Sequence, residues 1–172
     1  MKKTFKQLLI ELNACKPAIE WAANKTIEEV ITDCHRGDWL LWLAHNIDLP
    51  LNKLTLAKAR CAKTVIHLMK DQKSIDAVNI AERFGLDECT LKELNNASDA
   101  SYAAYASSSY AANAASYASY TAANAASDAS YAASYAAYAA DARVKNQQKT
   151  ADICKEILGL LIINKINELL NS

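Results

Sequence analysis

Glycine and proline are nearly missing from this chain of 172 residues: it has three glycines and two prolines, and neither occurs between Gly85 and Gly159. With so few residues that punctuate a backbone, the composition is helical almost throughout. An excess of either charge is also missing. Lysine plus arginine and aspartate plus glutamate both number 19, so no basic surplus points to nucleic acid or an anionic membrane. Long apolar runs are absent too. The longest, ILGLLIINKI, is about half of what spans a bilayer and carries Lys165, so no membrane segment is expected.

Cysteine is present but not in a framework. The five residues Cys15, Cys34, Cys61, Cys89 and Cys154 are an odd number, widely spaced, without a C-x-x-C pair, and no secretory leader is expected before them. They read as reduced, mostly buried thiols of a cytoplasmic protein. The motifs of catalysis are missing as well: there is no phosphate loop, nucleophile elbow or paired-carboxylate pattern. Asp33, Cys34 and His35 are sequential, with no second cluster at ligand spacing, so a capping or surface role is expected rather than a metal site. His45 and His67 read as structural, and RGD at 36–38 as a turn between helices. The expectation is a non-enzyme without cofactor or metal.

What is there falls into three parts of one all-α domain spanning 1–172. Residues 1–92 read as short helices. Phe5, Leu8, Leu9 and Leu12 share a face. Pro17 suits the first turn of a second helix that turns Ile19, and with it Trp21, toward a core. Thr26 to Glu29 has the spacing of a capping box, and the helix it opens is expected to end on Gly37 as a C-cap. Asp38 is then expected to cap DWLLWLAHNI, with Trp39, Leu40, Leu43 and Ile47 as its stripe and Trp42 widening it, and Pro50 to stop it. Leu54, Ala57, Cys61, Val65 and Leu68 predict about five amphipathic turns. Ser74 and Gly85 are the expected caps of the next helix.

Composition changes abruptly after that. Of the 46 residues 97–142, 22 are Ala, 10 are Ser and eight are Tyr, which is every tyrosine in the chain. Alanine is the best helix former, so this is predicted to be helix rather than disorder. Residues 93–142 hold four acidic groups and no basic one; the tract is the acidic part of a neutral protein. Residues 143–172 form a closing helix, with Val144, Ile153, Ile157, Leu160, Leu161, Asn164 and Ile166 as the expected packing stripe and Gly159 as a point of loosening or kink.

At 100° per residue the tyrosines Tyr102, Tyr105, Tyr110, Tyr117, Tyr120, Tyr131, Tyr135 and Tyr138 fall within roughly 140°, together with Asp128 and other Asn and Asp residues. Most alanines lie opposite, a surface that stabilises by admitting another helix closer than the usual separation of about 8–10 Å. A single helix of this length would measure about 70 Å, too long for a globule with a radius of gyration of about 16 Å. The tract therefore either breaks, near Ser107 to Ser109 or Asn124 to Asp128, or protrudes and pairs. Its tyrosine face is equally consistent with the core of an alanine-based bundle and with a recognition surface of amphipathic rings.

LNACKPAIEW, CHRGDWLLWLA, LAKARCAKTVIHLMKD, the Tyr/Ala/Ser/Asp tract and RVKNQQKTADICKEIL together resemble the immunity proteins of bacterial polymorphic toxin systems, family five, over nearly the whole chain. The resemblance implies an all-α cytoplasmic protein, monomer or homodimer, that binds a toxin or nuclease by stoichiometric contact and blocks it. Relatives carried by phages would instead disable a host defence effector, as anti-CRISPR proteins do. The tyrosine face is the expected contact with the protein target, with Tyr102, Tyr105, Tyr110, Tyr117, Tyr120, Asp128, Tyr131, Tyr135 and Tyr138 as its residues. Two rivals come from other classes. Ice binding fits the eleven-residue step from Asn113 to Asn124 but lacks regular threonine, and a structural module would pair alanine faces between chains.

Overall fold

The computed structural model describes residues 3–69, 71–106 and 140–171, with side chains described outside 68, 101–106 and 140–143. All regular structure among them is helical: α1 (Phe5–Glu11), α2 (Lys16–Ala22), α3 (Ile27–Asp33), α4 (Gly37–Asn46), α5 (Leu51–Lys63), a 3-10 turn (Ile66–Leu68), α6 (Gln72–Gly85), α7 (Leu91–Ala106) and α8 (Ala140–Asn171). The protein is a multi-helix all-α bundle. The alanine-rich tract is helical at both of its described ends, in the last turns of α7 and the first turn of α8. The expected break lies outside the described residues.

Two helices organise the bundle. α8 is 32 residues long, about 48 Å, and α1, α3, α4 and α5 pack along it. α5 turns its other side to α6, which in turn packs on α7. Enclosed between the two layers, α5 buries eight consecutive or near-consecutive residues, Leu54 to Ala59, Cys61 and Ala62. Lys58 is buried with them, and loss of solvent brings its amine down to about 8. The main core joins Leu8 and Leu9 of α1, Val30 and Ile31 of α3, Leu40, Leu43 and Ala44 of α4, and Leu158, Ile162 and Ile166 of α8. A smaller cluster, Ala59, Ala81 and Leu94 with Ile80 and Phe84, holds α7 to the rest.

The closing helix is continuous through Gly159. Its buried stripe is Ala151, Cys154, Leu158, Ile162 and Ile166, spaced three and four apart. This corrects the expected phase: Val144 and Leu160 are 60% and 70% exposed, Asn164 is exposed, and Ile153, Ile157 and Leu161 flank the stripe half-buried.

Capping follows a rule that the glycines hid. α3 ends at Asp33, and Gly37 opens α4 instead of ending α3. Arg36, not Asp38, is the N-cap of α4, Asp71 rather than Ser74 caps α6, and Pro50 stands at the N-cap of α5, because α4 has already ended. Among the described residues the left-handed ones are Asn13, Asp48 and Asp87, with φ of 60°, 55° and 62°. Each follows an apolar C-cap residue, and each gives the paired bonds of a Schellman turn: Asn13 N to Ile10 O with Ala14 N to Leu9 O, Asp48 N to His45 O with Leu49 N to Ala44 O, and Asp87 N to Phe84 O with Glu88 N to Arg83 O. Asn and Asp tolerate this region better than other L residues.

The glycines serve close approach instead. A Cβ on Gly37 would lie 2.5 Å from Thr150 Oγ1 and 2.6 Å from its carbonyl carbon, and one on Gly85 2.5 Å from Leu56 Cβ and 2.6 Å from its Cα. α4 meets α8, and α6 meets α5, backbone against backbone at these two points. The expected five-turn helix stops at Lys63, where Thr64 turns its hydroxyl back to Cys61 O and its side chain meets Asn146 of α8.

Candidate functional site: an aromatic and cationic surface

Tyr102 and Tyr105 lie in the last turn of α7, where side chains are not described, and Tyr110, Tyr117, Tyr120, Asp128, Tyr131, Tyr135 and Tyr138 lie outside the described residues. Among the described residues the most concentrated surface chemistry is elsewhere, where α2 meets the connection from α3 to α4.

Two indoles form its centre. Trp21 near the end of α2 and Trp39 in the first turn of α4 have ring centroids 5.9 Å apart, tilted 57°. Both are half-buried, one side on the main core and the other outward. His35, exposed, stands edge-on to Trp21 at 6.4 Å and 85°. Lys25 Nζ sits 5.1 Å from the centre of Trp21, and Arg36 Cζ 4.8 Å from that of Trp39, both within cation–π range.

Each cation is also held by a carboxylate. Lys25 Nζ donates to Asp33 Oδ2 at 2.6 Å. Arg36 grips Asp38 with both arms, Nε to Oδ1 at 2.8 Å and Nη2 to Oδ2 at 2.5 Å. That bidentate bond raises the guanidinium's affinity for its proton further. Beneath the surface, Cys34 donates to the Arg36 carbonyl at 3.4 Å, and burial pushes its thiol up. Lys155 of α8 donates to Thr32 O at 2.8 Å, closing the carbonyl end of α3.

The sequential trio Asp33, Cys34 and His35 thus points three ways: to Lys25, into the core and onto Trp21. Among the described residues no group of three His, Cys, Asp or Glu side chains is placed to hold a metal ion. Two rigid indoles with cations fixed on their faces present apolar area and donors at small entropic cost, which is the composition of interface anchors. Sequence reasoning placed Trp21 and Trp39 toward the core and missed their pairing. Nothing local signals it: the residues are 18 apart, and only the α2–α4 packing brings them together.

No protein-family model matches the chain, and no curated protein or solved structure is significantly similar to it. No helix among the described residues is long and apolar enough to cross a membrane.

Proposed function

We propose that this protein is an inhibitor that neutralises a bacterial toxin or nuclease by stoichiometric protein–protein contact, in the manner of the immunity proteins that its sequence resembles. The observation that supports the reading best is the paired Trp21 and Trp39 surface with Lys25 and Arg36 fixed on its rings. The segment carrying Trp39 and Arg36, CHRGDWLLWLA, is among those on which the resemblance rests. The acidic tyrosine face is the second contact of the proposal, suited to steer association with a basic nuclease surface.

The test is co-expression with toxins of bacterial polymorphic systems, starting with the products of the genes on either side of this one, scored by survival and by a 1:1 complex on size exclusion. The wild-type chain protects. A Lys25→Glu, His35→Glu double variant, folded by circular dichroism, loses protection by tenfold or more if the indole surface is the contact. Replacement of Tyr117, Tyr120 and Tyr131 by alanine reports on the other face in the same way. A chain that neither protects against nor forms a complex with any of these toxins refutes the toxin reading. Recovery of a host defence nuclease as the 1:1 partner would establish the phage alternative in its place.

A further inference from the structure

The junction where α4, α5 and α8 meet holds two thiols that no part of the proposed recognition uses. Cys61 and Cys154 are 1% and 0% exposed, and their Sγ atoms are 3.8 Å apart. They are 93 positions apart in the chain. Their remaining contacts are weak and replaceable: Cys61 Sγ lies 3.7 Å from Thr150 O, and Cys154 Sγ 3.7 Å from Gly37 O. We propose that Cys61 and Cys154 form a dithiol that peroxides oxidise to an intramolecular disulfide, stapling α5 to α8.

The geometry favours this pair over every other described thiol. A disulfide bond is about 2.0 Å long, so the sulfurs must close by a little under 2 Å, within reach of side-chain rotation where two helices already touch. Cys34 is engaged with Arg36 O, Cys15 is exposed at the start of α2, and Cys89 donates to Ile80 O at 3.5 Å. The close approach of Gly37 to Thr150 holds α4 against α8 one turn before Cys154.

One thiol of the pair, as its thiolate, attacks hydrogen peroxide, breaking the O–O bond, releasing water and becoming a sulfenic acid. The sulfur of the other thiol then attacks that sulfur, the S–O bond breaks, and a second water leaves with the remaining thiol proton. Two thiols lose two electrons and two protons, and one peroxide is reduced to two waters. Because both sulfurs are covered, the reaction proceeds through transient parting of α5 and α8 and is slower than oxidation of exposed Cys15. The closed loop contains α6 and α7, so the staple restrains a large part of the chain.

The test uses the reduced full-length protein. After hydrogen peroxide treatment under native conditions and alkylation in denaturant, peptide mapping is expected to give a Cys61–Cys154 linked peptide. The intact mass should be lower by two hydrogens, and the thermal midpoint higher and restored by dithiothreitol. In Cys154→Ser the sulfenic acid of Cys61 should persist and be trapped by dimedone. If that variant does not fold, the wild-type map decides alone. Complete oxidation of Cys15 with Cys61 and Cys154 both still alkylatable, linkage to other cysteines instead, or a lower midpoint in the linked form would each overturn the proposal.

Discussion

Replacing Gly85 by alanine and Gly159 by alanine, one at a time, should move stability in opposite directions, although both glycines are helical. Alanine is favoured over glycine inside a helix by about 1 kcal/mol, and by less at the last residue of one. On that ground alone both variants gain. At Gly85, however, the new methyl would lie 2.5, 2.6 and 2.8 Å from Cβ, Cα and N of Leu56, where ordinary contact is about 3.5–4.0 Å. Backbone atoms cannot rotate aside, so α5 and α6 must separate by about 1 Å. Overpacking costs about 1–3 kcal/mol, and a backbone clash belongs at the top of that range. The net loss is about 2 kcal/mol, a fall in Tm of about 4–8 °C for a chain of this size. At Gly159 the single close atom is Ile31 Cγ2 at 3.1 Å, a methyl that yields by a few tenths of an ångström. The helix gain then dominates, and Tm should rise by about 1–3 °C. Differential scanning calorimetry, with urea titration followed by circular dichroism, measures both. A Gly85→Ala protein as stable as the wild type would refute the account of this glycine as a helix contact.

Lys58 should make the protein more stable as pH rises from about 8 to 10.5: its folded pKa of about 8 lies below the ordinary 10.5, so the unfolded chain binds more protons in that window. The gain is up to about 3 kcal/mol, read from urea midpoints, and Lys58→Met should abolish the slope. Glu82 gives a slope of the same sign in an acid window, because its folded pKa is also lowered. Its bond from Lys63, and then its pairing with Arg60, hold its carboxyl below 4.5, so its contribution is complete above that pH and is lost as pH falls through the lowered folded value. Glu82→Gln should cost about 1 kcal/mol at neutral pH and flatten the acid limb of the stability curve. Leu158→Ala should cost about 2–5 kcal/mol, whereas Leu160→Gln, two residues away and 70% exposed, should stay within about 0.5 kcal/mol. A chemical denaturation series distinguishes them, and equal losses would contradict the phase of α8.

Much of the local structure is legible where a signal lies within one helical turn. The capping box of Thr26 and Glu29 is one case. Those of Thr4 with Gln7 and Thr90 with Glu93 carry the same S/T-x-x-E/Q signature and were equally readable. Glycine is the usual left-handed residue, so the sequence points to Gly37 and Gly85 for a role that Asn13, Asp48 and Asp87 perform; α6 does end at Gly85, with Asp87 as the left-handed residue of its turn. In α8, ILGLLIINKI is apolar on too many sides for periodicity to choose a stripe. The neighbours α3, α4 and α5 choose it, burying Leu158 and leaving Leu160 outside.

From residue types and spacing alone came the all-helical class, which near-absence of glycine and proline and strong amphipathic periods dictate through short-range hydrogen bonding and side-chain entropy. Tertiary structure decided what two segments do to each other. It made Gly37 and Gly85 points of backbone contact, set Trp21 against Trp39 beneath two cations, and placed Cys61 3.8 Å from Cys154. Those outcomes depend on which helices lie side by side, a property of long-range burial that no window of one helix contains.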